Sequence, residues 1–524
     1  MLLNIFRYYV DASPRSWPRL VHICRKWRHI VFTSQQALHL RLFCSSGTPA
    51  SKTLDPWPPL PIVLEYGSSL ALDPPAPEDE VNIIAVLKRS DRVSSITLTV
   101  TTSLLDKLYI IERPFLELED LTLLSQDSVP LIQKKTKKQD SVPLDLPSSF
   151  RWGPRLRRLH LNRISSPALF QLLHSSKNLV DLQLHGALNP RYLSMEVLTN
   201  ALSEMAQLRS LSLHFPSITG SVFPPSPPNQ RVVLPALVHL DFRGISEYLE
   251  RLVLRIDTPR LRDIQVTMVD EPFLYLSTLV DYTDRIDMHK SPYQARILSS
   301  EHAITISLTR LGAKTCVKLR LLSELLSYQL SVVTQIFLRS AYLLNVEDLC
   351  ISITRPPSQK DNLRSGLWST LISSLTGIKW LHLNGSHSTD IIHALQDAYL
   401  RHKTVPPALH KLYLPHPGQH HVPLSEAVVS FMTTRLRSGY PICVEYERLC
   451  CISEQHGTGT SLCPVPLHYG LKFLKQDFFL NQWLWIMRCS VMTSFRTYFD
   501  NIWIPLRNAG TFSHTHAEGG NRSY

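Results

Sequence analysis

The sequence predicts an α/β protein: a short helical unit at the N-terminus, followed by a long curved array of strand-plus-helix repeats. Three observations predict it. Residues 1–43 carry apolar stripes at helical spacing. From about residue 93 the pattern L-x-x-L-x-L, with an apolar residue at each marked place, recurs down the chain. Between its copies lie segments with the period of a surface helix, such as SPALFQLLHSSKN and SMEVLTNALSEMAQ. At 524 residues and 44% hydrophobic composition the chain can bury a large core, and a repeat array can use that length as one body.

Leu2, Ile5, Phe6 and Tyr9 mark a first short helix, and DASPRS makes the turn after it. SWPRLVHICRKWRHIVF, Ser16 to Phe32, reads as one second helix. Trp17, Leu20, Val21, Cys24, Trp27 and Val31 share a face of it, while Arg19, Arg25, Lys26 and Arg28 take much of the other side. Ser16 suits the capping position and Pro18 the first turn. QALHLRLF, with Leu38, Leu40 and Leu42, closes the unit. So small a unit cannot bury both stripes alone and needs a partner or a neighbouring domain.

Residues 44–80 are dense in proline and read as a linker or rigid edge segment with one strand, IVLEY (Ile62 to Tyr66). The repeats fill residues 81–449. Their apolar triplets begin with Val93/Ile96/Leu98, Leu118/Leu121/Leu123, Leu156/Leu159/Leu161 and Leu179/Leu182/Leu184. Leu208/Leu211/Leu213, Leu237/Leu240/Phe242 and Leu261/Ile264/Val266 follow. Val346/Leu349/Ile351, Ile378/Leu381/Leu383 and Leu409/Leu412/Leu414 complete the series. From Leu156 to Leu261 the starts lie 23 to 29 residues apart, within the leucine-rich-repeat range of ~20–29.

The repeat is degenerate. Ile164, Ala187, Pro216 and Ile245 stand where such repeats place Asn or Cys, so the loop backbone must find other partners. Between about Asp270 and Leu344 the register is lost, and only AITISL and VKLRLL read as strands. A helix at Leu424 to Arg437, then Gly439 and ICVEYE, form the last repeat. Arg157, Arg158, Gln183, Ser212, His239 and Lys411 are expected on the open face of the sheet. A loop insertion at about 125–147 carries QDSVPL twice around IQKKTKK and reads as a solvated excursion. Residues 450–524 form an irregular, partly disordered tail.

The net charge of +12 raises nucleic acid or an acidic membrane as partners. Aromatic and basic residues do not interleave on any one repeat, so no nucleic acid is expected. Nine cysteines without a C-x-x-C pair fit a reduced setting, cytoplasmic or nuclear. MLLNIFRYYV is interrupted by Asn4 and Arg7 and is no clear signal peptide. FFLNQWLWIM, Phe478 to Met487, has about half the ~20 residues a spanning helix needs, so the chain reads as soluble. GTGTS (Gly457 to Ser461) lacks the lysine of a phosphate loop. His410, His416, His420 and His421 have no carboxylate or cysteine at ligand spacing, and Cys450 and Cys451 are adjacent, so no metal site is expected. The Asn384 sequon would not meet its transferase in a cytosolic chain. No catalytic residue, cofactor or metal is assigned, and the chain is read as a binding module, not an enzyme.

LLNIF (Leu2 to Phe6), ICRKWR (Ile23 to Arg28) and a closing leucine at Leu38 together resemble an F-box. The whole chain is similar to the fungal F-box proteins with degenerate leucine-rich repeats. The F-box part covers residues 1–43 and the looser similarity extends to Leu449. The Leu-Pro-x-Glu that usually opens the motif would precede Met1, so the motif is read as truncated at its start. The resemblance implies that the helices dock onto a Skp-type adaptor of a cullin-RING (SCF-type) ubiquitin ligase, while the repeats capture a protein substrate. It implies adaptor contacts by Leu2, Leu3, Ile5, Phe6, Cys24, Trp27 and Leu38. By the stripe argument Leu2, Ile5 and Phe6 are the stronger candidates, since Cys24 and Trp27 could equally fill a small helical core. The alternatives are a leucine-rich scaffold uncoupled from any ligase and, behind it, a nucleic-acid-binding protein.

Overall fold

Every copy of the leucine pattern forms a parallel strand, and its apolar positions stack in register from strand to strand. The computed structural model describes residues 1–67, 76–126, 146–164, 168–186, 195–215, 231–269, 277–285, 293–310, 315–339, 346–354, 365–373, 375–402, 408–415 and 422–447. The first strands are β1 (Leu42–Cys44), β2 (Ile62–Tyr66), β3 (Val93–Val100), β4 (Asp120–Ser125), β5 (Arg158–Asn162) and β6 (Asp181–His185). Then come β7 (Ser210–His214), β8 (Val232–Val233), β9 (His239–Gly244), β10 (Ile256–Asp257), β11 (Asp263–Met268) and β12 (Tyr293–Ser299). The last are β13 (Ala303–Arg310), β14 (Thr315–Leu322), β15 (Val346–Ile353), β16 (Trp380–Gly385), β17 (Lys411–Pro415) and β18 (Cys443–Glu447). Sixteen of them form one mixed, mostly parallel sheet in the order β1-β2-β3-β4-β5-β6-β7-β9-β11-β14-β13-β12-β15-β16-β17-β18. The short β8 and β10 pair apart from it.

The register explains the sequence pattern. Ile96, Leu121, Leu159, Leu182, Leu211, Leu240 and Ile264 are partners in succession, and Leu98, Leu123, Leu161, Leu184, Leu213, Phe242 and Val266 form the next row. All are buried. Alternation along a strand sends these rows to one face. That face is covered by the helices between strands, among them Thr102–Leu108, Leu169–Ser175, Met195–Ser203 and Ser246–Arg255.

The backbone does the work of the missing Asn or Cys. Ile164 is buried in the apolar core, while Ala187 and Pro216 lie outside the described residues. Just past each strand, an N–H donates to a carbonyl on the next: Arg163 to His185 (2.6 Å), Gly186 to His214 (2.7 Å) and Phe215 to Arg243 (2.7 Å). Before the strands a second ladder runs through Val180 N–H to Arg157 (2.7 Å), Arg209 to Val180 (2.8 Å) and Val238 to Arg209 (2.8 Å). The loop groups are thus satisfied from neighbour to neighbour.

The stretch of lost register is an antiparallel meander. AITISL and VKLRLL lie in β13 and β14 as expected, and β12 joins them. β12 pairs antiparallel with β13, and β13 with β14, while the outer two pair parallel with β15 and β11. Hairpin strands alternate with period two and have no helix between them, so the 23-to-29-residue spacing cannot persist there. The final helix, Val422–Arg437, the left-handed Gly439 (φ 82°) and β18 close the sheet as expected.

The proline-dense stretch is edge structure where it is described. β1 and β2 pair with each other and β2 with β3, and Leu60 and Ile62 are buried. The Arg92 guanidinium donates to the Leu60 and Pro58 carbonyls, fixing the turn before β2.

The N-terminal unit departs from the expected two helices. Helix α1 spans Leu2–Ala12, but the second stretch is two helices, α2 (Pro18–Val21) and α3 (Arg25–Thr33). Cys24 is extended between them, and its Sγ accepts from the Trp27 N–H (3.5 Å), making it the cap of α3. Pro18 opens α2 as expected, whereas Ser16 ends a 3-10 turn and Trp17 precedes the helix in its place. Trp17 is buried; its Nε1 donates to the Arg41 carbonyl (2.8 Å) and its ring meets Trp57 edge-on. Arg15 pairs with Glu65 on β2 and lies over Phe43 on β1. The helices are thereby tied to the first edge of the sheet, and residues 1–449 form one compact unit.

The second unit, residues 450–524, lies outside the described residues, with GTGTS, FFLNQWLWIM and Cys450/Cys451. So does the duplicated insertion beyond Gln126 and the histidines at 416, 420 and 421. Among the described residues no helix is long and apolar enough to cross a membrane.

Candidate functional site

Two surfaces stand out, one at the N-terminal helices and one on the open face of the sheet. Helix α1 has an inner and an outer stripe. Phe6 and Val10 are buried on the inner one, with Leu2 and Tyr9 packed beside them, and the Phe6 ring meets Trp27 at 4.7 Å. On the outer side Ile5 is 53% and Tyr8 79% exposed, and Leu3 is exposed as well. Ile23, in the break between α2 and α3, is 58% exposed. Of the seven residues assigned from the resemblance, Phe6 and Leu38 are therefore core, fully covered by this chain. Cys24 is a helix cap, Leu2 and Trp27 are half-buried supports, and Leu3 and Ile5 face outward. Tyr8 and Ile23 were missed by the stripe argument. Tyr8 lies three residues past Ile5, a spacing that the inner stripe of Leu2, Phe6 and Tyr9 masks.

The open face carries a polar strip across the parallel strands. In one row His160, Gln183, Ser212 and Asp241 are successive partners; beside it run Asn162, His185, His214 and Arg243. The His185 and His214 rings stack at 3.9 Å, and His160 meets His185 edge-on at 5.0 Å. Asp241 gathers this group: its carboxylate accepts from Ser212 Oγ (3.0 Å) and pairs with His214 Nε2 (2.9 Å). With its proton given to Asp241, Ser212 accepts from His185 Nε2 (2.9 Å), which sets that ring's tautomer. His239 pairs with Asp263 (2.9 Å) and Arg158 forks onto Asp120 through two 2.6 Å bonds.

The electrostatics follow from this wiring. Burial, then the neighbouring His214 and His160, push the His185 imidazole down to about 4, and burial lowers His160 too. The hydrogen bond to Asp263 raises His239. Burial works against the Asp241 charge, but the bonds from His214 and Ser212 hold its carboxyl below the usual range. The serine donates straight to the aspartate, and His214 meets both through the same nitrogen, Nε2 (3.5 Å and 2.9 Å), so no ring links them through its two nitrogens as in a nucleophile, base and orienter. Among the described residues no set of three His, Cys, Asp or Glu side chains is placed to hold a metal ion.

A second strip crosses the last strands. His382 lies 3.2 Å from Asp348 and stacks on Tyr413 at 4.1 Å, and Lys411 pairs with Glu445 (3.0 Å). Of the residues expected on the open face, Arg158, Gln183, Ser212, His239 and Lys411 lie on its strands, and Arg157 is exposed just before β5. Sequence reasoning missed the histidines 160, 185 and 214. One per strand, at the same or adjacent register, was a readable signal. No family model matches this chain, and no curated protein matches it.

Proposed function

We propose that this chain is a substrate-receptor subunit of a cullin-RING ubiquitin ligase, with the N-terminal helices docking a Skp-type adaptor and degenerate leucine-rich repeats holding a protein substrate. The observation that carries the reading is the outer side of α1. Leu3, Ile5 and Tyr8, with Ile23, remain exposed after the inner stripe has been filled by the chain's own core. Apolar side chains spared in this way mark a partner surface, and the LLNIF and ICRKWR resemblance supplies the partner.

The open face of the sheet supports the second half of the reading. Arg158 is exposed, and His160, Gln183, His185, His214 and Asp241 are half-buried on that face, so a partner laid across β5 to β9 meets donors and acceptors on every strand. In this role the chain performs no chemistry; it raises the local concentration of substrate lysines near the ubiquitin carrier. A cytoplasmic or nuclear setting follows from that role.

The test is co-purification of a Skp-type adaptor with the full chain and with Ile5→Asp/Ile23→Asp. Both positions are exposed, so the substitutions place charge in the contact and not in the core. The adaptor should be recovered with the wild type and lost with the variant. Equal recovery, or none from either, overturns the ligase reading and leaves an interaction scaffold.

A further inference from the structure

The antiparallel meander gives the open face a second character. Arg243 on β9, Lys318 and Arg320 on β14 and Arg296 on β12 are all exposed on that face. Arg243, Thr267 and Arg320 are successive partners in one row, and Lys318, Ser307 and Arg296 in the row beside it. The cations at the ends of each row are thus two strands, about 10 Å, apart, and Lys318 and Arg320 are about 7 Å apart along their strand. None of the four has an ion-pair partner among the described residues. The carboxylates on these five strands are Asp241, held by His214 and Ser212, and Asp263, held by His239. Four cations unpaired among the described residues thus share a strip whose intervening positions, Thr267 and Ser307, are uncharged.

We infer that this strip binds an acidic peptide segment of a protein partner. The inference rests on reading the open face as a partner-binding surface, and it is independent of the adaptor. Spacings of about 7 and 10 Å match carboxylates two or three residues apart on an extended chain, which advances ~3.3 Å per residue. Arginine forks hold such carboxylates through paired charge-assisted bonds. Leu298, 43% exposed on the same face of β12 as Arg296, offers an apolar foothold that a peptide side chain can use. Nucleic acid fits less well: no aromatic ring stands between the cations, where Thr267 and Ser307 lie, to stack a base, and four cations neutralise few phosphates. The insertion that breaks the repeat therefore sets specificity, placing cations where the parallel strands carry histidine–aspartate pairs.

The experiment is fluorescence anisotropy of a fluorescein-labelled oligoglutamate peptide with the full chain, with oligoglutamine as the uncharged control. The chain should bind oligoglutamate, fail to bind oligoglutamine, and lose affinity as salt rises. The variant Arg296→Gln/Lys318→Gln/Arg320→Gln should weaken binding by about tenfold or more, the loss of several charge-assisted contacts. Arg243→Gln, alone on the parallel part of the sheet, should weaken it by a smaller factor and serves if the triple variant does not fold. Unchanged affinity in a folded variant, equal binding of oligoglutamine, or tighter binding of oligouridylate overturns the proposal. Because the adaptor-docking residues are untouched, adaptor recovery is unaffected in every arm.

Discussion

Glu250 is an acid buried within helix Ser246–Arg255, where its carboxylate accepts from the backbone N–H groups of Leu279 and Thr278. These belong to the first turn of helix Ser277–Arg285, so one repeat's helix caps the next. Burial pushes its pKa up to about 7 despite those bonds. The folded chain then holds a proton that the unfolded chain releases near 4.3, and this contribution to stability is lost as pH rises between those values. His185 acts in the opposite direction: held down to about 4, it costs stability as pH falls below about 6.5. Glu250→Gln should therefore raise the urea midpoint at about pH 8 more than at about pH 5. Equal changes at both would show that the carboxyl titrates normally. Gly385 gives a second prediction at this scale. Its φ is 97°, and a Cβ would stand 1.9 Å from the Ile353 carbonyl oxygen. Gly385→Ala should cost at least ~2 kcal/mol, read as a lower urea midpoint.

At the scale of elements, the parallel strands were legible because each repeat spends three apolar residues at fixed spacing on one buried face. Leu182 shows the consequence. It is fully buried between Leu159 and Leu211, and Leu182→Ala should lower stability by about 2–5 kcal/mol in a denaturation curve. An unchanged midpoint would place Leu182 outside the core. The meander was only partly legible. Ile304/Ile306/Leu308 and Val317/Leu319/Leu321 show period two, but β12 continues its buried Ala295 and Ile297 with a buried serine, Ser299. The break at His22 to Cys24 was hidden for another reason. Trp17 to Val31 keeps helical spacing through it, and what starts α3 as a separate helix is the N-cap made by Cys24, a residue that rarely announces a cap. The stripe on α1 was readable, but its burial was not. Phe6 is core because Trp27 returns against it, a tertiary fact. Accordingly Phe6→Asp should unfold the N-terminal unit, read as lost protection of its amides from exchange, while Ile5→Asp leaves that protection intact.

At the scale of the whole molecule, the helices and the sheet are one body with two faces of different chemistry. Trp17 against Trp57, with Arg15 on Glu65 and Phe43, closes the seam between them. Through this seam a partner on α1 would be held at a fixed orientation to whatever the sheet binds, which is what a receptor requires. The most direct measurement is calorimetric titration of a purified Skp-type adaptor into the full chain at several temperatures. The account predicts saturable binding with a negative heat-capacity change, the mark of apolar burial, and its loss in Ile5→Asp/Ile23→Asp. An absence of binding, or binding that survives both substitutions undiminished, would contradict it.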